Sequence, residues 1–304
     1  MLSKNDIEFL IVDWGTTNFR AFAINHENAV HAQIELPIGL KQVTDNDFAK
    51  VLEQELKAWI LGYQELPIYM AGMVGSANGW VNVPYVSTPT SVSKLADKTH
   101  RFTLPWGAMA YIVPGVSHMT DKGEFDVMRG EEVQVFGLIN KLNSGSFSVV
   151  LPGTHSKHVV VQNHELVLFD SFMTGELFSV IREHTIIGRD LPKQEPSYSA
   201  FVKGVLSGQN GGATSQIFKA RTGKIFAQIE DTEVDDFLSG ILIGSELKEL
   251  VSESIYLVGN RKLCNRYQLA CESTQKMSKF YDGDACFIDG MLLIKQEIEN
   301  DTEI

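Results

Sequence analysis

The sequence predicts an α/β protein made of two structurally related lobes that face one another. Short apolar runs of strand length are interspersed with amphipathic helical segments along 304 residues, enough for one large domain or two lobes of ordinary size. Two strand–turn–strand segments of similar construction, each carrying Gly and Thr in its turn, also stand far apart in the chain. We therefore expect a first lobe at 1–142, a second lobe at 143–282, and a C-terminal helix at 283–304 that packs back on the first lobe.

The composition indicates a globular protein without a nucleic-acid-binding surface. There are 38 acidic and 26 basic residues, a net charge of −12, whereas such a surface needs clustered Lys and Arg. The N-terminus is short and polar without a signal-peptide pattern, and no apolar run reaches the roughly 18 residues of a membrane span. We expect a cytoplasmic protein with neither a nucleic acid nor a membrane as partner. The cysteines, Cys264, Cys271 and Cys286, lack metal-type spacing and are predicted to be buried thiols.

The periodicity of the chain gives further expectations about helices and loops. Asp45–Leu61 has the pattern of an amphipathic helix, which Thr44 or Asp45 can cap. The stretch Val83–Arg101 has little periodicity and is predicted to be mostly loop. Other helices are predicted at Glu131–Leu142, at Thr174–Glu183, with its first residue as the cap, and at Arg261–Ser273.

The first turn, Asp13–Asn18, carries residues suited to a phosphate group and a metal ion. Gly15 lets the backbone approach a ligand closely, and consecutive N–H groups in such a turn form an anion-binding concavity. Thr16 and Thr17 can add hydroxyl donors. Asp13 lies at the end of the preceding strand and could hold Mg²⁺, directly or through water. An ordinary hairpin turn is the alternative interpretation.

The second turn and one further loop add to this pattern. The segment Pro152–His158 follows a predicted strand and again carries Gly, Thr and Ser, now with a Lys. The loop Gly72–Trp80 follows another short strand and holds three glycines, Ser76 and Asn78. In open α/β sheets ligands bind at the carboxyl ends of the strands, so this loop would suit a sugar or sugar acid. A surface loop with a packing Trp is the alternative.

These motifs resemble those of the actin-like sugar kinases, whose first phosphate motif has the form D-x-G-T/G-T-N-x-R. The resemblance is closer to one family, the 2-dehydro-3-deoxygalactonokinases, and extends over nearly the whole chain. It is carried by the segments DWGTTNFRA (Asp13–Ala21), MAGMVGSANGW (Met70–Trp80), VMRGEE (Val127–Glu132), LPGTHSKHV (Leu151–Val159), MTGEL (Met173–Leu177) and FLSGILIGSE (Phe237–Glu246).

The resemblance implies a two-lobed actin-like ATPase (ribonuclease H-like) fold with a central cleft. It implies a kinase that depends on ATP and Mg²⁺ and phosphorylates the 6-hydroxyl of 2-dehydro-3-deoxy-D-galactonate in galactonate catabolism. The expected partners are therefore this sugar acid and ATP, and a homodimer is considered as the assembly.

The resemblance also assigns roles to residues whose motifs match. Asp13 is expected at the metal and, with the first turn, at the γ-phosphate. The second lobe is expected to hold the phosphates and the adenosine. The nucleotide-binding set is Gly15, Thr16, Thr17, Gly153, Thr154, Lys157, Gly259 and Asn260, and the sugar-acid-binding set is Arg20, Met73, Gly75, Ser76, Asn78 and Arg129. One departure is Ser171, where relatives are expected to carry Thr ahead of the MTGE motif.

A carboxylate should accept the proton of the attacking hydroxyl, because phosphoryl transfer otherwise needs mainly positioning and charge neutralisation. The candidates are Glu131, Glu132, Asp13 and Asp126, and Asp13 suits the metal better because it adjoins the phosphate turn. We expect Glu131 or Glu132 to be the base. Adjacent residues on a helix point about 100° apart, so one of the two would face the substrate. Stabilisation of the helix N-terminus by a glutamate is the alternative role.

Two other functions remain possible from the sequence. One is a kinase of the same fold that acts on another sugar or keto-deoxy sugar acid. The other is a non-catalytic sugar sensor; such regulators commonly carry a helix-turn-helix, for which a first strand at Phe9 leaves no room. The chain has neither a P-loop G-x-x-x-x-G-K-[ST] motif nor an H-E-x-x-H zinc motif.

Overall fold

The computed structural model describes residues 1–142 and 144–300, and the chain divides into two compact units. Within the described residues, the first unit contains 1–145, 163–168 and 284–300, and the second contains 146–162 and 169–283. The segment 163–168 therefore belongs to the first unit, although it lies within the predicted range of the second lobe. Asn143 and residues 301–304, which the predicted lobe boundary and last helix include, lie outside the described residues.

The first unit is built mainly of strands. They are β1 (Leu2–Ser3), β2 (Phe9–Trp14), β3 (Phe19–Ile24), β4 (Val30–Leu36), β5 (Ile60–Leu61), β6 (Ile68–Ala71), β7 (Val86–Ser87), β8 (His100–Thr103), β9 (Met109–Ile112), β10 (Val116–Met119) and β11 (Phe125–Met128). Its helices are α1 (Phe48–Trp59), α2 (Val92–Asp97), α3 (Glu131–Leu142) and, apart from its first residue, α9 (Gly283–Asn300).

The main sheet of this unit has six strands in the order β4-β3-β2-β6-β9-β8. Strand β2 pairs antiparallel with β3 on one side and parallel with β6 on the other. The register places Asp13 opposite Ala71, so the turn after β2 and the loop after β6 leave the sheet at the same edge. The fold thereby brings two sequence-predicted segments together.

The second unit repeats this arrangement of strands. Its sheet has the order β14-β13-β12-β15-β16, in which β12 pairs antiparallel with β13 and parallel with β15, as β2 does with β3 and β6. Strands β15 and β16 are also parallel. The strands are β12 (Phe147–Leu151), β13 (Ser156–Gln162), β14 (Glu165–Phe172), β15 (Ser254–Gly259) and β16 (Met277–Asp282). Residues 165–168 of β14 are counted in the first unit. The helices are α4 (Thr174–His184), α5 (Tyr198–Gly208), α6 (Ala213–Ile225), α7 (Val234–Leu247) and α8 (Arg261–Ser273).

Each unit has an apolar core beside its sheet. In the first unit the fully buried Trp14 ring packs edge-on against Phe19 and Phe48, and its Nε1 donates to the carbonyl of Ile38 at 2.9 Å. In the second unit, helices α5 and α7 lie in close contact through glycines. A Cβ on Gly240 would overlap the carbonyl oxygen of Phe201, so the two helices can approach this closely because that position has no side chain.

Three expectations about local structure are wrong. Helix α1 is capped by Asp47, because Asp45 and Asn46 have φ angles of 54° and 58°, which are not compatible with the extended backbone of a cap residue. Helix α4 has no side-chain cap, because its cap residue is Met173. Thr174 is the first helical residue, and its hydroxyl donates to Glu246. The stretch predicted to be mostly loop, Val83–Arg101, contains β7, α2 and the start of β8.

The expectation of buried thiols is confirmed, since Cys264, Cys271 and Cys286 are buried and none of them forms a disulfide. None of the helices within the described residues is long and apolar enough to cross a membrane.

Candidate active site

The first turn, between β2 and β3, is supported by contacts with the backbone at Gly39. The N–H of Gly15 donates to the carbonyl of Asn18 at 2.9 Å, and the N–H of Gly39 donates to the carbonyl of Thr17 at 3.0 Å. A Cβ on Gly39 would overlap the backbone of Thr16 and Thr17. The side chains of Thr16 and Thr17 are exposed, so their hydroxyls are available to a ligand. Sequence reasoning missed Gly39, because its role depends on a contact with a distant turn.

A charged cluster lies beside this turn. The guanidinium of Arg20 forms ion pairs with Asp13 through Nη2 and with Asp284 through Nη1. Burial lowers the pKa of Arg20, but the charges of Asp13 and Asp284 outweigh burial, so its pKa is raised. Asp284 was not predicted from the sequence. It is the second residue of α9, two positions after strand β16 ends at Asp282, so the position near a strand end was the available signal.

The loop after β6 and the start of α3 meet next to Asp13. Gly72 has φ +93°, and a Cβ there would lie 3.0 Å from Oδ1 of Asp13. Gly130 has φ +110°, and a Cβ there would lie 3.4 Å from Cα of Gly72. Both positions require glycine for conformation and for close approach. The structure thus brings the MAGMVGS and MRGEE motifs to the carboxylate of Asp13.

Arg129 lies buried beneath the same loop. Its Nη2 donates to the carbonyl of Val83 at 2.8 Å, and its guanidinium carbon lies 4.3 Å from the centre of the Tyr85 ring. Within the described residues, Nε and Nη1 of Arg129 and Oγ of Ser76 have no hydrogen-bond partner. A Cβ on Gly75 would lie 2.9 Å from Nη1 of Arg129. Because buried polar groups are nearly always hydrogen-bonded, an acceptor that reached this loop would satisfy these donors.

The remaining residues predicted for the sugar acid lie on this loop as well. Met73 begins a short 3₁₀ turn, Met73–Gly75, and is half-buried, whereas Asn78 is exposed. Both therefore lie at the surface of the loop and can reach a ligand.

The adjacent glutamates of the MRGEE motif both bond to backbone N–H groups at the start of α3. Oε2 of Glu131 accepts from the N–H of Arg129 at 3.0 Å, and the carboxylate of Glu132 accepts from the N–H of Gly130 at 2.7 and 2.9 Å. Glu131 is half-buried, whereas Glu132 is completely buried. Burial raises the pKa of Glu132 to about 8, the charge of Glu131 adds to the rise, and the hydrogen bonds at Gly130 oppose it. Asp126 accepts from the N–H of Val127 at 2.7 Å.

The second turn, residues 152–155 between β12 and β13, packs against the N-terminus of α4. The N–H of Glu176 donates to the carbonyl of Thr154 at 3.0 Å, and a Cβ on Gly175 would lie 2.9 Å from Cα of Thr154. His155 pairs with Glu176 across 2.5 Å, from Nε2 to Oε2. Thr154 and His155 are exposed, so the turn presents accessible side chains beside the positive end of a helix dipole. Such a place favours an anion.

Lys157 lies away from the exposed part of the turn. Its side chain is buried, with 5% exposed, and Nζ donates to Oγ of Ser171 on strand β14. The residue at position 171, which departs from the expected Thr, is therefore a direct partner of this lysine.

The predicted adenosine segment lies next to the second turn. Gly259 has φ +149° and ends strand β15, and a Cβ there would lie 3.6 Å from the carbonyl oxygen of Pro152. Asn260 caps α8 by accepting from the N–H of Lys262 at 2.9 Å. Gly259 and the second turn are thus neighbours at one edge of the sheet.

A cavity of about 260 Å³ opens beside Gly153, between α4, α7 and α8. Its walls are mostly apolar, and a charged pair stands among them, in which Nη1 of Arg266 lies 2.6 Å from Oδ1 of Asp236. The guanidinium of Arg266 also lies 4.4 Å from the centre of the Phe201 ring. The sequence did not predict this cavity. Its lining residues are Gly153, Thr174, Gly175, Phe178, Asp235, Asp236, Ser239, Leu242, Ile243, Leu263, Arg266 and Tyr267.

Comparison with known proteins decides the family. The model of the family described as 2-keto-3-deoxy-galactonokinase matches residues 13–294 of the chain. The chain belongs to this family. A relative from Escherichia coli (strain K12), named 2-dehydro-3-deoxygalactonokinase, is 32% identical over 298 residues, which cover 96% of this chain and 99% of the relative.

Solved structures agree with this family assignment. A crystal structure from Sinorhizobium meliloti, described as a candidate 2-dehydro-3-deoxygalactonokinase, is 30% identical with a TM-score of 0.87 and covers 95% of this chain and 99% of its own. The activator of the 2-hydroxyisocaproyl-CoA dehydratase from Clostridium difficile, solved with bound ADPNP, is 12% identical with a TM-score of 0.50 over 98% of both chains, which shows the fold. The expected actin-like ATPase fold and the resemblance to 2-dehydro-3-deoxygalactonokinases are confirmed. The central cleft stays a prediction.

The buried Glu132 predicts a pH-dependent stability for this family member. A carboxyl whose pKa is raised on folding stabilises the fold below its unfolded pKa, and this contribution is lost as the pH rises through about 8. We expect Glu132→Gln to gain stability relative to the wild type between pH 5 and pH 8.5, by about 3 kcal/mol. Urea unfolding at several pH values measures this difference. Glu27→Gln, which removes an exposed carboxylate, controls for net charge. A difference that stays constant with pH would contradict the burial of an ionisable Glu132.

Proposed function

We propose that the protein is an ATP-dependent kinase that transfers the γ-phosphoryl group to the 6-hydroxyl of 2-dehydro-3-deoxy-D-galactonate, a step in galactonate catabolism. The observation that carries this proposal is the match to the 2-keto-3-deoxy-galactonokinase family over residues 13–294. The motifs that carry the resemblance lie at strand ends in both units, where the fold presents backbone N–H groups and carboxylates to a ligand.

The cavity beside Gly153 suits the nucleoside part of ATP. A volume of about 260 Å³ with apolar walls accommodates a flat base, and Ser239 with the Arg266–Asp236 pair supplies polar groups to orient it. Because the cavity adjoins Gly153, a nucleoside bound there would direct its phosphates toward the second turn. We therefore place the base between α4, α7 and α8.

The two turns suit the phosphate groups. In the second unit, Gly153 and Thr154 would hold phosphate oxygens at the N-terminus of α4, where the helix dipole favours negative charge. In the first unit, the exposed Thr16 and Thr17 would donate their hydroxyls to the γ-phosphate. The buried amino group of Lys157 lies against Ser171, and we propose that it acts through the electrostatic field of the turn.

The residues at the first turn are suited to bind Mg²⁺ as a partly hydrated ion. Within the described residues, no group of three His, Cys, Asp or Glu side chains is placed to hold a metal ion. Mg²⁺ is commonly held by one or two carboxylates together with phosphate oxygens and water, which the carboxylate of Asp13 at the first turn can satisfy. A bound Mg²⁺ would neutralise charge that develops on the phosphate oxygens. Arg20, paired with Asp13 and Asp284, adds a fixed positive charge at the same strand end.

The loop after β6 suits the sugar acid. The unmet donors of Arg129 and Ser76 lie beneath this loop, and Asn78 and Met73 lie at its surface. A keto acid with several hydroxyls offers the acceptors that these donors lack. We propose that the loop, with Gly75 and Arg20, orients the 6-hydroxyl for attack.

The two glutamates of the MRGEE motif differ in how deeply they are buried. Glu132 is completely buried and bonds to the N–H of Gly130, so it holds the start of α3 in place. Glu131 is half-buried and is therefore the more accessible of the two. We propose Glu131 as the group that takes the proton of the 6-hydroxyl, with Asp13 reserved for the metal. The cytoplasmic location and the homodimer remain predictions.

A substrate panel tests the proposed function. ADP release would be measured with ATP and Mg²⁺ against 2-dehydro-3-deoxy-D-galactonate and its gluconate-derived epimer, and we expect at least about ten-fold higher kcat/KM with the former. Equal rates would favour the alternative, a kinase of broader specificity on the same fold. Absence of ADP release with every acid would favour the sugar sensor.

Asp13→Asn should reduce turnover at least about 100-fold, because it removes the carboxylate charge that the metal needs. The melting temperature should stay near that of the wild type, since the amide fits the same space. Asp97→Asn is the matched control, because Asp97 is an exposed residue of the same unit that pairs with its neighbour Lys98. A substantially active Asp13→Asn enzyme would contradict the assignment of Asp13 as the metal ligand.

Ser239→Phe should raise the KM for ATP about ten-fold or more, because a phenyl ring would occupy the cavity proposed for the base. The KM for the sugar acid at saturating ATP should not change. Ser199→Phe, on an exposed face of α5, is the control for adding a phenyl ring to this unit. Unaltered ATP kinetics in Ser239→Phe would place the nucleoside elsewhere.

A further inference from the structure

Four side chains converge on one buried carboxylate in the second unit. Glu246, on α7, is buried, with 2% of the residue exposed. Its Oε1 accepts from Oγ of Ser156 at 2.7 Å and from Nε2 of His158 at 2.8 Å. Its Oε2 accepts from the hydroxyl of Tyr267 at 2.7 Å and from Oγ1 of Thr174. This set of five residues is called the Glu246 network below.

The geometry of the Glu246 network uses every acceptor site of a carboxylate. A carboxylate has about four lone-pair sites and no donor, so each of the four partners must donate, including the Nε2–H of His158. Burial raises the pKa of Tyr267 well above its ordinary value, and the charge of Glu246 adds to the rise, so this hydroxyl keeps its proton. Burial of this carboxyl group is tolerated because its hydrogen bonds are complete.

The partners of Glu246 belong to the elements that surround the second turn. Ser156 begins β13 directly after the turn, and Thr174 is the first residue of α4. Gly175 of α4 supports Thr154, as described above. The carboxylate therefore links the end of the turn to the helix on which the turn rests.

The same network reaches the wall of the cavity. Thr174 and Tyr267 both line it, and Tyr267 lies on α8, the helix that begins after the Gly259–Asn260 segment. One buried group thus fixes the turn, the N-terminus of α4 and one wall of the cavity against each other.

We propose that Glu246 is a positioning residue that holds the second turn in its phosphate-binding geometry. This inference rests on the proposed function, because it concerns the binding of ATP. Glu246 is too deeply buried to touch the nucleotide, so it acts through the turn and through the N-terminus of α4. Since small displacements of binding groups cost large factors in rate and affinity, loss of this carboxylate should weaken ATP binding selectively.

The test is Glu246→Gln, which keeps the shape of the side chain and removes the charge and half of the acceptor sites. We expect the KM for ATP to rise about ten-fold or more, with the KM for the sugar acid at saturating ATP unchanged. We also expect a smaller rise in melting temperature when Mg·ATP is added, because ligand-induced stabilisation follows affinity. This second readout does not depend on turnover.

Two further variants make the test decisive. Ser156→Ala removes one of the four donors and should raise the KM for ATP by a smaller factor than Glu246→Gln. This variant replaces Glu246→Gln in the test if that protein does not fold. Ser252→Ala removes the 2.7 Å contact between Oγ atoms of Ser148 and Ser252, at the opposite end of β12 from the turn. This control should lower the melting temperature slightly without altering ATP kinetics.

The outcomes separate this inference from the proposed function. A wild-type protein that ATP does not stabilise would overturn the proposed function and this inference with it. If ATP stabilises the wild type, and Glu246→Gln and Ser156→Ala lose melting temperature but keep the wild-type KM for ATP, the role of Glu246 is purely structural and the inference alone fails.

Discussion

Each unit places an antiparallel hairpin beside a parallel strand, and the candidate site depends on this constraint. The turn of a hairpin and the loop after a parallel neighbour must leave the sheet at the same edge. In the first unit this puts the turn after Asp13 next to the loop after Ala71. In the second unit, β12 pairs with β15 at Val150 and Leu257, which puts the turn at Gly153 next to Gly259. Backbone pairing alone therefore assembles the glycine-rich segments in both units.

Buried carboxylates then fix the loops that the sheets bring together, and the two units do so differently. In the first unit, Glu132 bonds to the N–H of Gly130, and Gly130 packs on Gly72 beside Asp13. In the second unit, Glu246 gathers four side-chain donors from three elements around the turn. Both arrangements set the cost of burying a polar carboxyl group against its hydrogen bonds, so this cost is offset only in the native geometry. Such buried groups can hold the exposed binding groups rigidly in place.

Much of the fold and part of the site could be predicted from the sequence, for local reasons. The helices Glu131–Leu142 and Arg261–Ser273 have the predicted bounds, because apolar periodicity and end signals lie within each segment. The turns after β2 and β12 were predicted because apolar runs end at Gly and Thr. The cap at Asp47 was missed, because the left-handed backbone at Asp45 delays the start of the helix.

What the sequence could not indicate depends on contacts between distant residues. Asp284 meets Arg20 across 264 positions, and Glu246 meets Ser156 across 90. No periodicity or spacing encodes such pairs, even though Glu246 ends a segment that carried the family resemblance. The cavity beside Gly153 is likewise formed by three helices that pack together in the folded unit.

The most direct test of the account is the identity of the product. The enzyme would be incubated with ATP, Mg²⁺ and 2-dehydro-3-deoxy-D-galactonate, and the product analysed by ¹H–³¹P correlation NMR. The account predicts a single new phosphate monoester coupled to the protons of the terminal C6 methylene. A phosphate on any other carbon, or ATP that remains intact beside unmodified sugar acid, would contradict it.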